Sequence, residues 1–203
     1  MTTKLVLVRH GETEWNKTSR YQGVKDIELN KRGKNQAQML YEYLKDEKFD
    51  AIYSSTLKRA YHTVKDIAEH QNKDVITIAD LMEIDFGEWE GLTFSEIEEQ
   101  YPELAKKWAK NPMCCKPPEG EHIKEVEKRV GNTIDRLIDE NSDKKILVAT
   151  HGGIVRIVIA YLLELPLSRI FSIEVDNVSI TRIKFYEHYP VLKLLNSTHH
   201  LKG

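Results

Sequence analysis

Cysteine is scarce in this chain. The two residues present, Cys114 and Cys115, are adjacent. Neighbouring cysteines cannot staple distant segments, so no disulfide framework is available. No third or fourth ligand stands at metal-binding spacing beside them, so they read as reduced loop thiols. An excess of one charge is also missing: Lys and Arg number 30 against 32 Asp and Glu, a formal net charge of -2. That balance gives no general attraction to nucleic acid or to an anionic membrane, and neither is an expected partner. No apolar run reaches the roughly 18 residues of a membrane-spanning helix. The start, MTTKLVLVRHG, has too short an apolar run for a signal peptide, so a cytoplasmic location is expected. Repeats, low-complexity tracts and linkers are absent too, and a single domain over 1–203 is the expectation.

What remains is an ordinary soluble balance, 40% hydrophobic and 31% charged over 203 residues, enough to bury a core. Lys4 to Val8 is short, apolar and β-rich and reads as a buried strand, as does Lys145 to Thr150. Further strands are expected at Ala51 to Tyr53, Val75 to Ile78, Ser179 to Phe185 and Val191 to Leu195. Helical spacing marks Lys31 to Leu44, with Asn30 as its N-cap, and Leu57 to Ala68, Phe94 to Trp108, Val126 to Ile138 and Ile154 to Leu163. Asn111 to Gly120 reads as a loop. Strands alternating with helices imply an α/β fold with a sheet covered on both faces. The segment around 92–120 reads as a lid-like insertion over the site.

In such sheets ligands gather beyond the carboxyl ends of the strands. Two corners fall there, Arg9-His10-Gly11 and His151-Gly152-Gly153. In LVRHGETEWN, Leu7 to Asn16, an apolar run stops at the first corner. Arg9 is a permanent cation suited to phosphate, and His10 offers a nitrogen nucleophile. The pairing points to phosphoryl transfer through a phosphohistidine.

Five blocks, LVRHGETEWN, RYQGVKDIELNKRG, YSSTLKRAYHT, LMEIDFGEWEG and VATHGGIVR, resemble the histidine phosphatase superfamily, the phosphoglycerate mutase-like proteins, in order and spacing. The resemblance implies a three-layer α/β/α sandwich with a mostly parallel central sheet. Residue by residue it makes His10 the nucleophile, places Arg9, Arg59 and His151 around the phosphoryl oxygens, and adds Asn16 as an amide donor. Glu83 becomes the proton donor to the leaving alkoxide and then the base that activates water. Glu88 and Glu90 are nearby carboxylates that could be confused with it. Gln22, Gly23 and Gly152 match positions that bind substrate. No metal and no cofactor are implied, because the arginines and histidines supply the positive charge.

The resemblance favours phosphatase over mutase. The mutases carry an extra segment over the site and typically a polar residue near Gly153. The segments PPEGEHIKEVEKRV, VDNVSITRI and LLNSTHHL resemble the alpha-ribazole phosphatases, which act on a nucleotide-like intermediate of cobalamin assembly. A broad-specificity phosphatase of small phosphate esters is the alternative. His122 stands where many relatives carry serine, which adds bulk and a titratable ring near the expected substrate entrance. The expected partner is a small-molecule phosphate ester, with a homodimer admitted. Domains of this fold that serve only as binding modules would have lost His10, an arginine or Glu83, and this chain retains them all. His199 and His200 lack a ligand set, Trp89 and Trp108 read as core, and Glu96 to Glu99 as the solvated face of a helix.

Overall fold

A computed structural model describes residues 2–187 and 189–202; Met1, His188 and Gly203 lie outside the described residues. In chain order the elements are β1 (Lys4–Arg9), α1 (Glu14–Lys17), α2 (Lys31–Leu44), β2 (Ala51–Ser55), α3 (Lys58–His70), β3 (Val75–Ile78), α4 (Phe94–Gln100), α5 (Pro102–Lys110), α6 (Ile123–Glu140), β4 (Lys145–Thr150), α7 (Gly152–Leu162), β5 (Ile180–Phe185) and β6 (Pro190–Ser197). The six strands form one sheet in the order β3-β2-β4-β1-β5-β6. The β2–β3, β2–β4 and β1–β4 pairs are parallel, whereas β5 and β6 join antiparallel.

Alternation along β1 builds the two halves of the core. Leu5 and Leu7 face α6 and α7 with Val130, Ile134 and Ile154, while Val6 and Val8 face α2 and α3 with Leu40, Val64 and Ile67. Helices on both faces make the three-layer α/β/α sandwich expected of the mostly parallel sheet. The register then fixes the site. Arg9 pairs with Thr150, so the residues that follow, His10 and His151, leave the sheet side by side.

Several element boundaries differ from those expected. Phe94 to Trp108 is two helices, because Pro102 supplies no backbone donor and Tyr101 before it leaves the helical region at φ -133 and ψ 54. The apolar spacing runs through the break because Ile97, Ala105 and Trp108 are buried in the same core. Helix α6 starts at Ile123 rather than Val126, since His122 caps it: the His122 Nδ1 accepts from the Lys124 N–H and the Glu125 carboxylate accepts from the His122 N–H. The four-residue α1, unseen in the sequence, rests on a capping box between Thr13 and Asn16. Asn30 caps α2 as expected, accepting from the Gly33 N–H at 2.8 Å.

Trp89 and Trp108 are buried edge-to-face, 5.4 Å between centroids. Residues 111–120 form a loop carrying Cys114 and Cys115 as free thiols. Glu98 and Glu99 are exposed, but Glu96 closes the α4 capping box and pairs with Arg20 at 2.8 Å. Among the described residues no helix is long and apolar enough to cross a membrane.

Candidate active site

His10 leaves the end of β1 with its backbone pinned on each side. Its N–H donates to the Thr150 carbonyl at 2.9 Å, and its carbonyl accepts from the Asn177 side-chain amide at 3.0 Å. The next N–H, of Gly11, donates to the Thr63 hydroxyl. The ring is buried, and its Nδ1 lies 2.7 Å from the Gly11 carbonyl oxygen. A carbonyl can only accept, so Nδ1 carries the hydrogen in the neutral ring and Nε2 keeps the lone pair. The His151 ring lies 5.2 Å away, centroid to centroid.

Arg9 and Arg59 flank this pair. Arg9 donates through Nη1 to the Val175 carbonyl, while Arg59, fully buried in the first turn of α3, donates through Nη1 and Nη2 to the Lys25 and Gly23 carbonyls. Burial lowers both guanidinium pKa values to about 10, opposed chiefly by Glu83, so both remain cations at neutral pH. Arg9 Nε, Arg59 Nε and His151 Nδ1 are buried without a hydrogen-bond partner. Leaving a buried polar group unpaired costs about 1–3 kcal/mol. Arg9 and Arg59, which carry two of these orphan groups, line one cavity, and their paired cations suit an anion there.

Burial, then Arg59, pushes the His10 and His151 imidazoles well below 6.5. Both rings are therefore neutral at physiological pH. The consequence for stability has a definite sign. A depressed folded value means that the unfolded chain binds protons first as pH falls. The stabilisation is thus present above pH 6.5 and is lost progressively as pH falls below it. His200, half-buried and also lowered by burial, adds to the same limb. Denaturant midpoints should fall between pH 6.5 and 5, less steeply in His10→Asn. An equal slope in that variant would contradict the assignment.

Glu83 lies between two 3-10 turns, Ala79–Leu81 and Gly87–Trp89. Its carboxylate accepts from the Ile84 N–H at 3.0 Å and from the Gly153 N–H at 3.1 Å, which ties it to the start of α7. A side chain at position 153 would collide with it. The neighbouring carboxylates are engaged elsewhere. Glu88 accepts from the Tyr101 hydroxyl, and Glu90 accepts from the Val24 and Phe86 N–H groups.

A cavity of about 260 Å³ is lined by Arg9, His10, Arg59 and Glu83 together with Asn16, Gln22 and Gly23; His151 is fully buried behind His10 and is not in its lining. Asn16 Oδ1 accepts from Thr13 and Asn177, which leaves its NH2 as donor. Gln22 accepts from the Thr13 hydroxyl. Gly23, at φ +51, has no room for a Cβ against Glu90 and offers its carbonyl to Arg59. Gly152 is not in the cavity wall, where Gly153 stands instead. A Cβ at Gly152 would lie 3.3 Å from Arg9 Nε and 3.2 Å from Arg156 Nη1, so its bareness admits both guanidiniums. The 92–120 segment lines none of the cavity, but its Trp108 packs against Phe86 and Phe171, which do.

Sequence reasoning missed several contributors, among them the aromatic wall of Tyr21, Phe86 and Phe171. Arg156 lines the cavity one helical turn after Gly152, inside the HGGIVR block, and its spacing could have revealed it. Ser55, at the end of β2, meets His151 Nε2 at 2.8 Å. Thr63 and Asn177 come from distant elements and carry no local signal. His122 lies away from the cavity lining and ties the α6 cap to the Met113 carbonyl. Among the described residues no three His, Cys, Asp or Glu side chains are grouped to hold a metal ion.

The sequence pattern of the histidine phosphatase superfamily (branch 1) matches residues 5–198. Phosphoserine phosphatase 1 of Hydrogenobacter thermophilus is 39% identical over 198 residues, covering 98% of this chain and 94% of that protein. The adenosylcobalamin/alpha-ribazole phosphatase of Salmonella typhimurium is 30% identical over 194 residues, 96% of each chain. A mutant phosphoserine phosphatase from Entamoeba histolytica, solved with phosphoserine, superposes with a TM-score of 0.88 at 36% identity over 98% of this chain and 99% of that one.

Proposed function

Because the chain belongs to the histidine phosphatase superfamily, we propose that it hydrolyses phosphomonoesters through a phosphohistidine on His10. The observation that carries this reading is the neutral His10 ring, its Nδ1–H fixed on the Gly11 carbonyl, beside the buried Arg59 and the partly buried Arg9, each with an orphan Nε donor.

Nε2 attacks phosphorus as the ester oxygen departs in line. Arg9, Arg59, Asn16 and His151 stabilise the charge on the equatorial oxygens. A Ser55 hydroxyl that donates to His151 Nε2 leaves the imidazole hydrogen on Nδ1, free to donate. Its own lone pair accepts from the Leu57 N–H. Glu83 enters the cycle in its protonated form, gives that proton to the leaving alkoxide and is left as the carboxylate. It then takes a proton from water, whose oxygen attacks the phosphohistidine, releasing phosphate and restoring neutral His10. The positive charge comes from arginine, so activity is expected without a metal ion.

The substrate is a small phosphomonoester whose leaving group carries a second anion, of the O-phosphoserine kind. Arg156 supports this. It is anchored by Nε on the Ile173 carbonyl, stands 5.8 Å from the Phe171 ring centroid and lines the cavity near Arg9. The modest volume and the likeness to phosphoserine phosphatases support it as well. The aromatic wall of Tyr21, Phe86 and Phe171 favours a second reading, alpha-ribazole 5'-phosphate of cobalamin assembly.

Two measurements separate them. O-phosphoserine should exceed alpha-ribazole 5'-phosphate in kcat/KM. Arg156→Leu should lower kcat/KM for phosphoserine about 10- to 100-fold, the worth of a charge-assisted hydrogen bond, with less than about 3-fold loss on p-nitrophenyl phosphate. Equal losses on both esters would remove the second-anion role, and preference for the ribazole ester would select the second reading.

A further inference from the structure

The segment that carries Glu83 has one 3-10 turn, Ala79–Leu81, and no strand or α-helix, yet four consecutive carbonyls in it, 80 to 83, accept hydrogen bonds from side chains. Arg129 Nη1 donates to Asp80 at 2.6 Å and Met82 at 3.0 Å, and Nη2 donates to Glu83 at 3.1 Å. The Leu81 carbonyl accepts from the Thr150 hydroxyl at 2.7 Å, one residue before His151. The remaining Arg129 donors, from Nε and Nη2, go to the Glu121 carboxylate at 2.9 and 2.8 Å. All five N–H donors of the guanidinium are thereby engaged. Glu121 closes the far end. Its carboxylate accepts from the Asp85 N–H at 3.0 Å, and its own N–H donates to the Asp85 carbonyl at 2.9 Å.

We propose that Arg129, oriented by Glu121, is a positioning residue for the acid, holding backbone 80–85 so that the Glu83 carboxyl meets the departing ester oxygen. It does not touch substrate, since it lies outside the cavity lining. The role needs a planar fork with five donors. A lysine in its place has three donors on one point charge and cannot span the three carbonyls and the carboxylate. A shift of about 1 Å in a reacting group costs on the order of 100-fold, so a brace of this kind acts on rate without touching the reaction.

The inference rests on Glu83 being the acid, and the test keeps the two claims apart. Readout is kcat/KM, which reports steps up to departure of the leaving group, on O-phosphoserine (a poor leaving group) and p-nitrophenyl phosphate (a good one). Glu83→Gln should lose far more on phosphoserine than on the aryl ester. Arg129→Lys should show the same selectivity at smaller size, about 30-fold against less than 3-fold, as expected for a displaced general acid. Glu121→Gln keeps the fork on the carbonyls and should show a weaker loss in the same direction; it decides the matter if Arg129→Lys does not fold. Equal losses on both esters, or none, would make the brace merely structural and overturn the proposal. If Glu83→Gln is selective and the brace variants are not, only the brace falls. If Glu83→Gln is itself unselective, the acid assignment falls and the brace with it.

Discussion

His10→Ala is expected to lower phosphate release by about 10⁴-fold or more on every ester, because loss of a covalent nucleophile removes the whole two-step route. The effect should be on chemistry rather than folding. The corner is held by its backbone, through Thr150, Asn177 and Thr63, and those contacts do not involve the ring. No neighbouring side chain can replace it. His151 holds Ser55 through Nε2, and Glu83 is tied to the Ile84 and Gly153 N–H groups. Colorimetric phosphate release on aryl and alkyl esters checks this, and turnover within 10-fold of the parent would contradict it.

Arg59→Met is expected to cost about 10³-fold in kcat/KM, the upper range for loss of one preorganised donor to a developing oxyanion. Two consequences follow from one side chain. Its cation lines the cavity beside His10, and its Nη1 and Nη2 groups hold the Lys25 and Gly23 carbonyls. It is also the strongest neighbouring charge that keeps His10 from protonating, after burial itself. Removing it lets the folded His10 value rise toward 6.5. The acid limb of the pH–rate profile should therefore move to higher pH in Arg59→Met and move back in Arg59→Lys. A loss below 10-fold with an unmoved acid limb would contradict both roles.

The strands and the corners were legible because their signals are local. β1 and β4 are covered on both faces, so they read as largely apolar runs, and each is followed at once by a histidine and a glycine. The side-by-side placement of His10 and His151 is different in kind. It depends on the Arg9–Thr150 register, a tertiary fact that the two blocks only suggest. Helix boundaries failed where a cap lay outside the usual set, as with His122. They failed too where a proline broke a helix without breaking its apolar face, as at Pro102. Arg129 shows the hardest limit. It stands in a segment already singled out, but apart from Glu121 its partners are backbone carbonyls, which every residue possesses and no sequence distinguishes.

The most direct test is rapid quenching during turnover of a radiolabelled phosphoester, followed by mapping of the labelled residue. Phosphohistidine chemistry requires a phosphoryl group on His10 Nε2, labile in acid and stable in alkali, formed before phosphate is released and absent in His10→Ala. Phosphate release at the full rate with no phosphoenzyme, or label on any other residue, would contradict it.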